Sequence, residues 1–311
     1  MLTLLFASPA NWDEYREVLP GALEAAGIRA QIFTLENQPA PDQVDYLIYA
    51  PSSPLQDFTP FTRAKAVLSL WAGVERIVGN TTLTQPLCRM VDPWLTEGMV
   101  EWVVGHTLRH HLGMDRHIVN PDHVWDPASP PLARDRRVAV LGLGALGLAC
   151  ARALQGLNFA VSGWSRTAKD IAGLPTAHGA DGLRATLAAA EIVILLLPKT
   201  PETENTLDAA ALAAMPKGAV ILNPGRGALI DDAALLAALD AGQIGHATLD
   251  VFRVEPLPKD HPFWSHPGVT VTPHIAADTR PASAARVLVE NIRRGEAGEP
   301  LLNLVDRARG Y

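Results

Sequence analysis

Of the 311 residues only two are cysteine, Cys88 and Cys150. They stand far apart, so a disulfide framework is excluded, and both thiols are expected to be reduced and buried. Basic residues are outnumbered, 26 Lys and Arg against 33 Asp and Glu, for a net charge of −7. That balance offers no footprint for nucleic acid or an anionic membrane. No run approaches the roughly 18 apolar residues of a membrane span. The stretch MLTLLFASPA lacks the opening Lys or Arg of a signal peptide and reads as a first strand. The chain is therefore expected in the cytoplasm. No internal repeat or low-complexity tract is present. With 48% hydrophobic residues the chain is long enough for two cores, so neither a disulfide nor a metal is needed to hold it, and no metal site is expected.

What is present is an alternation of strand and helix. LTLLFA, RAQIFT, VDYLIYA, AVLSLWA and PLCRMV read as strands, with a helix over DEYREVLPGALEAAG. A long helix through EWVVGHTLRHHLG is expected to start at Thr96 as N-cap, and the Pro-rich stretch NPDHVWDPASPPLARD then reads as a linker or extended arm. A second series follows: RVAVLGLG, AVSGWS, EIVILLLP, AVILNPG, HATLDVF and VTVTP. These strands are nearly all apolar, as parallel strands covered on both faces are. Asp231 is the expected N-cap of a helix that ends before Gly242. The pattern predicts two doubly wound α/β domains with parallel sheets, the second a Rossmann dinucleotide-binding domain. A last helix over Pro281–Arg294 returns to the first domain. The expected division is a discontinuous, flavodoxin-like substrate-binding domain of residues 1–97 and 277–311, and a dinucleotide-binding domain of residues 98–276.

VAVLGLGALG holds Gly142, Gly144 and Gly147 as GxGxxG, between a strand and a helix that opens at Ala145 and Leu146. The first glycine allows the turn, the second a close pyrophosphate, and the third the packing of helix on strand. The helix start adds amide donors and a positive dipole. The alternative is a glycine-rich turn with no ligand. The next strand lacks the Asp or Glu that would read a ribose 2′-hydroxyl, and ends in Ser165, Arg166 and Thr167 instead. An arginine and two hydroxyls suit a 2′-phosphate, which predicts NADPH in preference to NADH. The alternative is a solvated surface arginine.

In NPGRG, Arg226 sits between Gly225 and Gly227 at the carboxyl end of a strand, where ligands of doubly wound sheets bind. The glycines permit unusual dihedrals and close approach. A planar guanidinium there suits a carboxylate or a polarised carbonyl. Two further strand ends bring Asp250 and Glu255, in LDVFRVEP, and His274, in VTVTPH. Histidine passes protons near neutral pH, and a carboxylate on its other nitrogen fixes its tautomer. Singly, His274 reads as a structural hydrogen-bonder and Glu255 as a turn residue. Together, beside GxGxxG, they read as a site.

The set LGLGALG, LLLPKTPET, LNPGRGALID, LDVFRVEPLP and TPHIAADTRP resembles the D-2-hydroxyacid dehydrogenases. WSRT, PLPKDHPFWSHP and VDRARGY are similar to that family's glyoxylate/hydroxypyruvate reductase branch. The resemblance implies that Arg226 binds the carboxylate and carbonyl of a 2-oxo acid, that His274 gives the proton, and that Glu255 orients and charges His274. It implies that Asp250 lies by the nicotinamide carboxamide and that Leu197, Pro198, Thr203 and Pro224 line the cofactor. It gives Gly73 and Val74, in WAGVERI, backbone-amide contacts to the substrate carboxylate. Trp71 departs from the family pattern and narrows the pocket, and Glu75 stands where Asp is common. Arg280 is either a further contact to the acid or a surface arginine at a helix start. A homodimer through residues Thr96 to Pro131 is also implied. The expected activity is NADPH-dependent reduction of glyoxylate to glycolate and of hydroxypyruvate to D-glycerate. The alternatives are a reductase of a bulkier 2-oxo acid and a dinucleotide-sensing protein without turnover.

Overall fold

In the computed structural model, which describes residues 1–310, the first strands are β1 (Leu2–Phe6), β2 (Ala30–Thr34), β3 (Tyr46–Tyr49), β4 (Ala66–Ser69) and β5 (Leu87–Cys88). All pair in parallel, in the order β2-β1-β3-β4-β5, which is the flavodoxin-like winding. β3 and β4 are buried along their whole length, which is why their sequences are apolar without alternation. The helix expected over DEYREVLPGALEAAG is two pieces, α1 (Trp12–Tyr15) and α2 (Leu19–Ala25). Pro20 has no N–H to give, and it is accommodated in the first turn of a new helix.

The chain forms two compact units, Met1–Leu95 with the residues from Asp278 onward, and Thr96–Ala277. The divisions fall at Leu95/Thr96 and Ala277/Asp278, rather than at the expected 97/98 and 276/277. The long helix α3 spans Pro93–Leu112, so its start is not at Thr96. Asp92 caps it, accepting from Trp94 N and Leu95 N at 3.0 and 3.2 Å. Pro93 fits the first helical position, where no N–H is needed. A short α4 (Asp115–Ile118) follows. The stretch Asn120–Pro131 has no helix or strand and is mostly exposed.

The second sheet contains β6 (Arg137–Leu141), β7 (Ala160–Ser165), β8 (Thr176–His178), β9 (Ile192–Leu195), β10 (Ala219–Asn223), β11 (Ile244–Leu249) and β12 (Val269–Val271). Its order is β12-β11-β10-β9-β6-β7-β8, all parallel. The order reverses between β6 and β9, which opens a crevice at their carboxyl ends. β8 is an edge strand that the sequence pattern did not show; three partly exposed residues carry no apolar run. Between the strands lie α5 (Ala145–Gly156), α6 (Gly179–Ala189), α7 (Ala209–Ala214) and α8 (Asp232–Asp240). Asp231 caps α8 by accepting from Ala234 N at 3.0 Å, and Gly242 follows its end with φ +65°.

The last helix, α9 (Pro281–Ala297), belongs to the first unit and runs three residues beyond Arg294. Its Ala284, Ala285, Leu288 and Ile292 join one core with Leu4, Phe6, Ile48 and Leu68 of the first sheet. The chain thus returns to its first unit to cover a sheet face.

Candidate active site

The turn after β6 is built by its glycines. Gly142 has φ +105°, and a Cβ there would sit 2.4 Å from Leu196 O. A Cβ on Gly147 would sit 1.8 Å from Gly142 O, so α5 packs on the turn with no room for a side chain. A Cβ on Gly144 would meet no atom within 4 Å. Gly144 is also the N-cap residue of α5, with no side chain satisfying the amides of the first turn, where Ala145 and Leu146 lie. Open space above Gly144 and an uncapped helix start fit the pyrophosphate of a dinucleotide.

At the end of β7, Ser165 is buried and its Oγ donates to Thr167 O at 2.8 Å. Arg166 and Thr167 are exposed. Two neighbours escaped the sequence reading. Lys169 folds back, its Nζ donating to Leu143 O at 2.6 Å, and so adds a cation beside the glycine turn. Glu202, from the loop after β9, approaches Arg166 at 3.9 Å. A hydrogen bond from Thr200 and the nearby Arg166 lower its pKa, so it is an anion at neutral pH. In the same loop Thr203 is a staple: its Oγ1 donates to Pro198 O at 2.7 Å and accepts from Thr200 N at 2.8 Å. Leu197 is buried at the strand end.

β10, β11 and β12 are neighbours in register, with Asn223 beside Leu249 and Leu249 beside Val271. The segments that follow them therefore emerge side by side. After β10, Asn223 shapes the turn: its Oδ1 accepts from Gly225 N at 3.1 Å and its Nδ2 donates to Arg226 O at 2.9 Å. Pro224 is buried. Gly225 and Gly227 are not needed for unusual dihedrals, since neither has positive φ. They are needed for close approach: a Cβ on Gly225 would lie 2.7 Å from Leu195 O, and one on Gly227 would lie 2.0 Å from Phe252 C. Arg226 is half-buried in extended backbone, and its Nη1 donates to Gly225 O at 2.6 Å.

Asp250 follows β11 and is buried. Its Oδ1 accepts from Thr272 Oγ1 at 2.6 Å and Ile275 N at 2.9 Å, and its Oδ2 accepts from Ala276 N at 2.9 Å. Its carbonyl accepts from His274 N at 2.8 Å. Both carboxylate oxygens thus hold the segment that carries His274. That residue has φ +57°, a left-handed conformation that costs a non-glycine residue on the order of 1 kcal/mol or more. The His274 Nδ1 lies 2.7 Å from Glu255 Oε2, and Glu255 Oε1 accepts from Phe252 N at 2.8 Å. With Nδ1 held by a carboxylate, Nε2 is the nitrogen left for proton exchange. The structure brings Glu255 and His274 together.

In the first unit, Ser69 closes the turn after β4 by accepting from Trp71 N at 3.1 Å and donating to Trp71 O at 3.2 Å. Trp71 is 37% exposed, Gly73 is partly exposed and Val74 is buried. Arg280 is the exposed residue before α9, and its carbonyl accepts from Ser283 N and Ala284 N. Among the described residues no cluster of His, Cys, Asp or Glu is arranged to hold a metal ion, and no helix is long and apolar enough to cross a membrane.

Residues 103–276 match the family model of the D-isomer specific 2-hydroxyacid dehydrogenase NAD-binding domain. Two curated relatives are glyoxylate/hydroxypyruvate reductases A. That of Yersinia enterocolitica is 39% identical over 285 residues, 89% of each chain. That of Serratia proteamaculans is 36% identical over 321 aligned residues, covering all of both chains. Among solved structures, a D-isomer specific 2-hydroxyacid dehydrogenase from Xanthobacter autotrophicus in complex with NADPH and MES superposes with TM-score 0.91 at 39% identity, over 100% of this chain and 99% of the other. An NADPH-dependent glyoxylate/hydroxypyruvate reductase from Sinorhizobium meliloti, in complex with NADP and sulfate, has TM-score 0.85 at 34% identity over all of both chains. With a glycine turn shaped for a dinucleotide and a carboxylate-held histidine on the same sheet edge, the chain belongs to the D-isomer specific 2-hydroxyacid dehydrogenase family.

Proposed function

We propose that the protein is an NADPH-dependent reductase of small 2-oxo acids, with glyoxylate and hydroxypyruvate as substrates. The observation that carries this reading is the 2.7 Å His274–Glu255 pair, with Arg226 on the neighbouring strand end. The nicotinamide, when bound, supplies the hydride for the carbonyl carbon. Arg226 holds the carboxylate and carbonyl oxygens of the acid and offsets the charge that develops on them. His274 gives the proton on Nε2 to the carbonyl oxygen, and Glu255 holds its ring by Nδ1. Gly73 and Val74 are assigned amide contacts to the acid's carboxylate, Arg280 a further contact to the acid, and Trp71 the size limit.

Gly142, Gly144 and Gly147, with the first turn of α5, take the pyrophosphate. Leu197, Pro198, Thr203, Pro224 and Asp250 stand along the cofactor. Ser165, Arg166 and Thr167 take the 2′-phosphate, with Lys169 as a second cation. The NADP and NADPH complexes of two similar chains support this preference. A panel of 2-oxo acids with NADPH and with NADH, followed at 340 nm, tests the reading. Glyoxylate and hydroxypyruvate should be reduced faster with NADPH. Oxidation with bulkier acids alone would move the substrate class, and no oxidation with any acid would leave a dinucleotide sensor.

A homodimer through Thr96 to Pro131 is part of this reading. Ile118, Val119, Val124 and Trp125 are exposed apolar residues of that region, Trp125 at 92%, and a second copy of the chain would cover them. Light scattering at micromolar concentration should give twice the chain mass; a monomer would count against it. The free, buried cysteines Cys88 and Cys150 support a cytoplasmic place, where thiols stay reduced.

A further inference from the structure

We propose that Arg253 is a positioning residue that fixes Arg226 relative to the His274–Glu255 pair. This rests on the reading of the site as that of a 2-oxo acid reductase. Arg253 lies two residues before Glu255, and its side chain is only 30% exposed. Its guanidinium gathers oxygens from two other loops. Nη2 donates to Ile230 O at 2.5 Å, and Nε reaches the same carbonyl at 3.2 Å. Nη2 also contacts Ala228 O at 3.4 Å and bonds Asn205 Oδ1. Nη1 donates to Glu204 Oε1 at 3.3 Å, and Nε lies 3.7 Å from Asp232 Oδ1.

Glu204 and Asn205 belong to the loop after β9. Ala228 and Ile230 belong to the segment after β10 that carries Arg226, and Asp232 opens α8. One planar fork therefore ties the loop of the proton donor's partner to the loop of the acid-binding arginine. A second tie sits beside it: Gly227 packs its backbone on that of Phe252, whose amide donates to Glu255. The donors of Arg253 are turned onto protein oxygens, so it holds other groups in place and takes no substrate itself. Lysine has one point charge and no fork, so it cannot hold two loops at fixed angles. A displacement of about 1 Å between reacting groups costs up to roughly 100-fold in rate.

Arg253→Met, which keeps length but loses every donor, should lower kcat/KM for glyoxylate by roughly 10- to 100-fold. KM should rise and kcat fall together, with NADPH affinity by fluorescence unchanged. Arg253→Lys should recover part of the loss. In an Arg226→Lys background Arg253→Met should cost little more, because the two act on one contact. If Arg253→Met unfolds, Asn205→Ala removes one exposed partner and should give a smaller loss in the same direction. A lower melting temperature with unchanged kcat and KM, or fully additive losses, would overturn the proposal and leave a structural clamp. If the parent protein reduces no 2-oxo acid, the functional reading falls by itself. Hydrogen exchange then decides the clamp: amides of residues 226–231 and 252–255 should exchange faster in Arg253→Met, and unchanged exchange would refute it.

Discussion

At the residue scale, a charged side chain between two glycines has a reason only if it holds something. Asn223 binds the turn from both sides, and the flanking glycines are set by backbone contacts of 2.7 and 2.0 Å for their missing Cβ atoms. Asn223 and the close-packed glycines thus hold the turn, and the guanidinium lies beside it with Nη1 donating to Gly225 O at 2.6 Å. Arg226→Lys keeps the charge but loses the two-pronged grip, so it should raise the apparent KM and lower kcat together. His274→Ala should instead lower turnover by roughly 10²–10⁴ with NADPH affinity retained. Steady-state kinetics with circular dichroism separates the two; a folded Arg226→Ala protein at the parent rate would leave that arginine with no role in catalysis. Cofactor choice is a residue-scale matter too. Arg166→Ala removes a charge-assisted contact of roughly 1.5–3 kcal/mol, about one to two decades in NADPH affinity, with NADH hardly affected. Glu202, 3.9 Å from Arg166, sharpens the test, since Glu202→Gln removes a competing anion and should tighten NADPH. An unchanged NADPH to NADH ratio in both variants would refute the assignment. Arg226, Glu255 and His274 stood out in the sequence because each lies in a motif that follows a strand end. Asn223, Lys169 and Arg253 did not, because side-chain bonds between loops leave no periodic trace in a sequence.

At the scale of elements, the fully buried strands were the plainest signals. β9, IVIL, is buried at every residue, so apolar continuity alone marks it. β8 failed that test because an edge strand of three residues buries too little. The start of α3 was misplaced for a different reason. Thr96 has the chemistry of a cap, but Asp92 before Pro93 has it also and comes first. The turn between β6 and α5 gives the sharpest element-scale prediction. In Gly147→Ala the new methyl would start 1.8 Å from Gly142 O, a backbone atom of a turn where a Cβ on Gly142 would in turn meet Leu196 O at 2.4 Å. The helix start must lift from the strand, at a cost of roughly 1–3 kcal/mol. The same shift spoils the amide cradle, so NADPH affinity should fall by at least tenfold. Gly144→Ala has open space and φ −79°, and should leave stability nearly unchanged while still weakening NADPH. Thermal melts and NADPH titration of the two variants check this; equal stability losses would show that the glycines are not divided in this way.

At the scale of the whole molecule, the two-unit organisation was legible because each sheet announces itself by its own series of apolar strands. What sequence could not show is which polar groups each unit buries. The second unit holds two histidines against each other, His110 of α3 and His246 of β11, with ring centroids 4.8 Å apart. His110 Nε2 bonds Thr248 Oγ1 at 2.9 Å, and His246 Nε2 bonds Thr270 Oγ1 at 2.8 Å. Around them stand Arg109 and Asp115, paired at 2.6 Å, with His106 and His266 nearby. Burial is the main cause that pushes His110 down to about 3 and His246 down to about 4, and Arg109 adds to both. Both rings are therefore neutral in the folded protein from neutral pH down to about 5. The unfolded chain, with histidines near 6.5, takes up protons first as the solution is acidified. This contribution is fully present above about pH 6.5 and is lost as the pH falls towards the folded values. At pH 5 each histidine should cost on the order of 1–2 kcal/mol, or roughly 2–8 °C in the melting of the second unit. Calorimetry between pH 7 and 5 stays above the range where most carboxylates titrate. His110→Gln keeps a donor for Thr248 and removes one proton site, so its melting temperature should fall less steeply over that window. Parallel pH dependences for the parent and His110→Gln would show that His110 takes up its proton without unfolding, and that the charge is accommodated between α3 and β11.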